Sequence, residues 1–138
     1  MEVHLRFLLN HPDYLRMQLQ EGHAWYHGAA HPSSVEQQLW ERGLSVMEQL
    51  FRWGIDEELF VPDQPANLAR MLLSMQQTRL ANWMMADMQE SHEAVIRRVQ
   101  ADFVRVFCRT AVAAKLLNKD SASLSVATLK RMHAPAAK

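Results

Sequence analysis

The stretch Leu44 to Leu73, LSVMEQLFRWGIDEELFVPDQPANLARMLL, ends one amphipathic helix, turns and begins another. Leu44, Met47 and Phe51, with a second row of Val46, Leu50 and Trp53, recur at three- and four-residue spacing, which places a wide apolar stripe on one side of a helix. Gly54 follows the last periodic residue and is expected to stop that helix, because glycine takes the left-handed backbone of a helix terminus without a Cβ clash. Ile55 to Val61 is a short link with Leu59 and Phe60 as apolar anchors. Asp63 is placed to cap the next helix, and Pro65 falls in its first turn, where a missing N–H costs nothing.

The chain is built of helices throughout. Glycine and proline sit almost entirely at segment ends, and Leu, Ala, Gln, Arg and nine methionines favour helix between them. A helix is apolar from Val3 to Leu9, and its early start suggests the end of a longer one. A second begins at Pro12, with rows Leu15, Leu19, Tyr26 and Tyr14, Met17, Trp25, and loosens at Gly22 and Gly28. The third follows a cap at Ser33 or Ser34, where Ser33 with Glu36 or Ser34 with Gln37 fits a capping box, and runs to Trp53 with Glu48 and Arg52 spaced as an ion pair. The fourth, about 65 to 88, is apolar on two sides and so needs two packing partners: Leu68, Leu72, Met75 and Trp83 form one row, Leu73, Leu80, Met84 and Met88 another. Ser91 caps a fifth with the row Ile96, Val99, Phe103, Val106, Phe107 and Ala111, opposite a polar stripe of Arg98, Asp102, Arg105 and Arg109. These five helices form one domain over residues 1–117, and the Ser-, Ala- and Lys-rich segment 118–138 reads as a mobile tail.

Fifteen basic and fifteen acidic residues cancel, so no net field draws the chain to nucleic acid or an anionic membrane. Glu2, His4 and Arg6 break the first apolar run, unlike a signal peptide, and no run approaches the ~18 apolar residues of a membrane span. With Cys108 as the one cysteine, a reducing cytoplasm is the expected setting. Cys108 lies in an apolar row and reads as an inert packed thiol. His23, His27 and His31 are four apart, but the outer pair would sit ~12 Å apart along a helix, and no carboxylate or cysteine nearby completes a metal site. No metal or cofactor is expected. Arg97, Arg98, Arg105 and Arg109 are diluted by Glu90, Glu93 and Asp102 and read as a solvated face. No phosphate loop, nucleophile elbow or paired-histidine motif is present, so the chain is not read as an enzyme.

The order of parts resembles the C-terminal regulatory domain of TetR-family transcription factors, over roughly Phe7 to Arg109. FLLNHPDYLRMQLQEG, then RWGIDEELFVPDQPANLARML with its Gly-Ile turn and acidic-proline cap, and SHEAVIRRVQADFVRVFCR are similar to successive parts of that domain. The family often has a second glycine where Glu58 stands. Its N-terminal helix-turn-helix domain is not in this sequence, so the operator-reading surface is absent from the chain and DNA would be met only through that missing domain. The resemblance implies a homodimer in which the last two helices pair with their twofold mates in a four-helix bundle, here through Leu80, Met84, Met88, Phe103, Val106 and Phe107. It also implies a pocket for a small apolar or aromatic effector. Phe7, Met17, Trp25, Trp40, Met47, Phe51 and Trp83 are its expected walls, with Gln76, Arg79 or Asn82 as the orienting polar group. The expected function is ligand-dependent transcriptional control. The competing expectation is a stand-alone helical dimer that binds another protein.

Overall fold

The computed structural model describes residues 1–26, 34–120 and 122–132, with the backbone alone described for 21–26, 34–37 and 39–40. The described residues form an all-α bundle: α1 (Glu2–Asn10), α2 (Pro12–Tyr26), α3 (Ser34–Asp56), α4 (Pro65–Met85), α5 (His92–Phe107), α6 (Thr110–Leu116) and α7 (Val126–Met132). Extended pairing among the described residues is confined to two isolated bridges. Helix α4 packs against α2, α3 and α5, and α1 against α2 and α5. The expectation that the two-sided fourth helix needs more than one partner is met.

Two apolar clusters fill the bundle and meet at Met75. Leu5, Leu8 and Leu9 of α1 and Leu15 of α2 pack on Leu80 and Trp83 of α4 and on Val95, Ile96 and Val99 of α5. Each such fully buried aliphatic side chain contributes about 1.5–3 kcal/mol. Pro12 keeps His11 out of helical geometry, so the chain bends between α1 and α2 and Leu15 can turn towards the same core. The second cluster joins Phe51 of α3, Phe60, Leu68 and Leu72 of α4, and Val104 and Phe107 of α5. Arg6 spans α1 and α5, bonding Glu2 and Glu93, and Glu93 also accepts from Arg97.

The turn after α3 differs from the sequence expectation. The helix continues through Gly54 to Asp56, and the left-handed residue is Glu58, with φ 57°. Leu59 N–H donates to Gly54 O and Glu58 N–H to Ile55 O, the paired bonds of a Schellman terminus, with Glu58 where glycine is the usual choice. Gly54 serves another purpose. A Cβ there would lie 2.2 Å from the Phe60 ring, so the missing side chain is what lets Phe60 fold back onto the helix. The cap of α4 is Gln64 rather than Asp63, whose Oδ1 instead accepts the Gln64 N–H at 2.6 Å; Pro65 follows in the first turn as expected.

Three further readings are corrected. Among the described residues Glu48 and Arg52 form no ion pair. The fifth helix ends at Phe107, because Cys108 pairs with Phe60 in an antiparallel bridge. The segment read as a tail folds back as far as Met132: Leu124 pairs with Leu117, both are buried, and Thr128 Oγ1 donates to Leu116 O. The Ser33/Glu36 and Ser34/Gln37 boxes and the His23, His27, His31 cluster lie outside the described side chains.

Gly54→Ala is expected to destabilise the chain by about 1–3 kcal/mol in urea unfolding, since the overpacking cost exceeds the ~1 kcal/mol gained in helix propensity. Glu58→Gly is expected to stabilise it by up to about 1 kcal/mol, because release from the left-handed region outweighs the added backbone entropy. A neutral Gly54→Ala would refute the close contact.

The Glu93 carboxyl is held below its ordinary value of 4.5 by hydrogen bonds from Arg6 first and Arg97 second. A depressed carboxylate stabilises the fold above its unfolded pKa, and that contribution is lost as pH falls through the folded value. The stability gap between wild type and Glu93→Gln is therefore expected at neutral pH and should close below pH 4.5. A gap independent of pH would mean that the side chain acts through packing alone.

Candidate functional site

A cleft of about 250 Å³ opens between the distal part of α4 and the start of α5. Arg79, Asn82, Trp83 and Ala86 line it from α4 and its end, at spacings that share one helix face, and Val95 and Arg98 line it from α5. Glu90 closes it from the connecting turn. That turn carries two successive left-handed residues, Asp87 (φ 52°) and Met88 (φ 56°). Trp83 clamps it from both sides: its carbonyl accepts the Met88 N–H at 3.0 Å, and its indole Nε1–H donates to Glu90 O at 2.8 Å. The His92 ring meets the indole edge-on at 5.4 Å. Ser91 Oγ then caps α5 by accepting the Ala94 N–H, as the sequence predicts.

The cleft is charged but balanced. Arg98 donates to Glu90 Oε1 at 2.6 Å. Arg79 donates through Nε to Asp102 Oδ2 at 2.5 Å, and Asp102 Oδ1 accepts from Arg105 at 2.6 Å. Asp102 is only 4% exposed. Its placement in a solvated stripe is therefore wrong: two guanidiniums from different helices compensate the buried carboxylate, and Arg105 continues to Ala122 O. A sequence signal for this existed. Val95, Val99 and Val106 share a helical row with Asp102 at four- and three-residue spacing, so the carboxylate interrupts an apolar row.

The residues expected to line a pocket are distributed over several places. Arg79 and Trp83 meet in the cleft together with Asn82, while Gln76 is buried one turn before Arg79. Phe51 is fully buried among the rings of Phe60, Phe103 and Phe107, with Met47 packed on the same cluster. Phe7 and Met17 lie on the outer surface, 47% and 44% exposed, and Phe7 stacks on His11 with centroids 4.4 Å apart. The side chains of Trp25 and Trp40 lie outside the described residues. Glu90, Val95 and Arg98 were not expected at the site; they arrive there because the α4–α5 turn returns the chain along Trp83.

The expected dimer face is corrected in part. Leu80 and Phe107 are buried within the chain itself, so neither is free to meet a partner. Met84 and Phe103 pack on the two cores, and Met88 in the α4–α5 turn and Val106 near the end of α5 remain exposed. Cys108 is buried, and burial pushes its thiol up in pKa, which opposes thiolate formation. No helix is long and apolar enough to cross a membrane, and no metal-binding group of His, Cys, Asp or Glu occurs, among the described residues. No protein-family model, curated protein or solved structure matches the chain.

The buried pairing makes Asp102, behind Arg79, a costlier carboxylate to remove than Glu90 of the cleft itself. Asp102→Ala is expected to lose about 2 kcal/mol in urea unfolding, less than for a fully buried pair because both arginines reach solvent. Glu90→Gln, whose partner Arg98 is exposed, is expected to change stability by less than about 0.5 kcal/mol. Equal effects would show that burial of Asp102 does not govern the pairing.

Proposed function

We propose that the chain is the effector-binding and dimerisation part of a TetR-like transcriptional regulator and that it responds to a small apolar or aromatic compound. The observation that carries this reading is the cleft, where Trp83 and the polar Arg79 and Asn82 come together between α4 and α5. An indole beside a few fixed polar groups suits a small ring-bearing ligand, and the paired charges disfavour a highly charged one. The mechanism would be a population shift: a ligand that favours one setting of the Trp83-clamped turn stabilises one arrangement of α4 and α5 against α1. Operator DNA would be met by a helix-turn-helix domain of the full protein.

The second reading, a helical module that binds another protein, is favoured by one observation: Val46, Leu50 and Trp53 lie exposed along α3.

Titration with a panel of neutral one- and two-ring aromatic compounds distinguishes the readings. A sensor is expected to show saturable tryptophan quenching and a stability gain of about 2.7 kcal/mol at a hundredfold excess over Kd. Trp83→Phe should weaken both, because the clamp on Glu90 is lost. A response from none of the panel would reject the sensor reading.

A further inference from the structure

Helix α3 has two apolar stripes, and the chain covers only one. Leu44, Met47, Phe51 and Ile55 face the core. The second row, read from the sequence as part of one wide stripe with the first, points outward: Val46 is 65% exposed, Leu50 46% and Trp53 54%. Gly43 continues the same alternating three- and four-residue spacing, and a Cβ built on it would meet nothing within 4 Å. Leu39 is next in register, its side chain lying outside the described residues. A 3.5-residue apolar repeat is the seam of a two-helix coiled coil.

The register complements itself. In an antiparallel pair Val46 meets Leu50 of a second copy, and Gly43 meets Trp53 of that copy, so each layer sets a small residue against a larger one. A parallel pair would set Gly43 on Gly43 and Trp53 on Trp53, leaving a gap in one layer and crowding in another. On the side of the seam away from the core run Arg42, Gln49 and Asp56, seven residues apart. The antiparallel register brings Arg42 to Asp56 of the second copy at both ends, with Gln49 on Gln49 between them. All three are exposed, and neither Arg42 nor Asp56 joins an ion pair among the described residues.

We propose that the outer face of α3 is a self-association surface on which a second copy of this chain docks antiparallel through Gly43, Val46, Leu50 and Trp53, with reciprocal Arg42–Asp56 ion pairs. The seam is isologous, so the same patch serves both partners and the assembly closes at two. About two heptads make a small interface, and the dimer is weak and concentration-dependent. The proposal stands on α3 alone and does not depend on the ligand reading of the cleft; it makes α3, in place of the last two helices, the face through which two copies meet.

Sedimentation equilibrium of the full chain from about 5 to about 500 µM tests it. The mass is expected to climb from 16.0 kDa towards twice that value. Leu50→Glu should hold the chain monomeric at every concentration, with an unchanged urea midpoint because Leu50 lies outside the core. Arg42→Asp or Asp56→Arg should each weaken association about tenfold, and the double swap should restore it to within about threefold. A monomer throughout, or a dimer indifferent to Leu50→Glu, would overturn the surface. Failure of the double swap to restore association would overturn the antiparallel register and with it the proposal.

Discussion

The Phe60 ring lies against the backbone of α3 at Gly54, and the rest of the first core is arranged by that contact. Once Phe60 is folded back, its backbone is held in line with the break between α5 and α6. Phe60 pairs with Cys108, Val61 N–H donates to Phe107 O, and Arg109 N–H donates to Leu59 O. Arg109 Nε also donates to Phe60 O at 3.2 Å. The α3–α4 connection is thereby joined to the end of α5 by main-chain bonds, with the rings of Phe51, Phe60, Phe103 and Phe107 packed beneath. A helix bundle otherwise depends on side-chain packing for the relative height of its helices. Here hydrogen bonds between two loops set it as well, and the backbone groups freed by ending α5 find partners in the process.

The second core is fastened differently. Arg79 and Asp102 tie α4 to α5 where Leu80, Ile96 and Val99 pack, and Arg105 carries the link to the segment before α7. A carboxylate this deeply placed stabilises only while both guanidiniums remain in position, so it fixes the register of the two helices more than it adds to their attraction. The cleft sits at the open end of the same helix pair. Trp83 and Arg79 line it on the α4 side, and the turn that joins the two helices beside it carries Asp87 and Met88, two non-glycine residues in the left-handed region.

Helices and their order were legible in the sequence because periodicity reports them directly. Pro12, Pro65 and Ser91 mark three of the starts, and the two-sided pattern of the fourth helix correctly implied several neighbours. Gly54 was found for the wrong reason. A glycine that ends a helix and one that admits a neighbouring ring look alike in sequence, and only the position of Phe60 separates them. The return of α7 was hidden by its composition, since one leucine pair and Thr128 hold it amid Ser and Ala. At the candidate site, Arg79, Asn82 and Trp83 could be grouped because they share one face of one helix. Glu90, Val95 and Arg98 could not, since a turn brings them there. The spread of Phe7, Met17 and Phe51 away from the cleft has the same origin: large apolar side chains signal burial or contact, and not which of two cores or surfaces receives them.

The two rows of α3 bring this limit to a point. On a helix that ends against Phe60, the core can reach only the side carrying Met47, Phe51 and Ile55, because α4 leaves along that side after the turn. Val46, Leu50 and Trp53 are turned away by the helical rotation itself, and no change of rotamer returns them to the core. Their periodicity is as regular as that of the buried row, and the charges flanking them have opposite signs at opposite ends. An apolar row with those properties, on a helix whose C-terminal end packs against Phe60 at Gly54, presents a surface with its own register. A segment that merely failed to fit the core would have no reason to keep one.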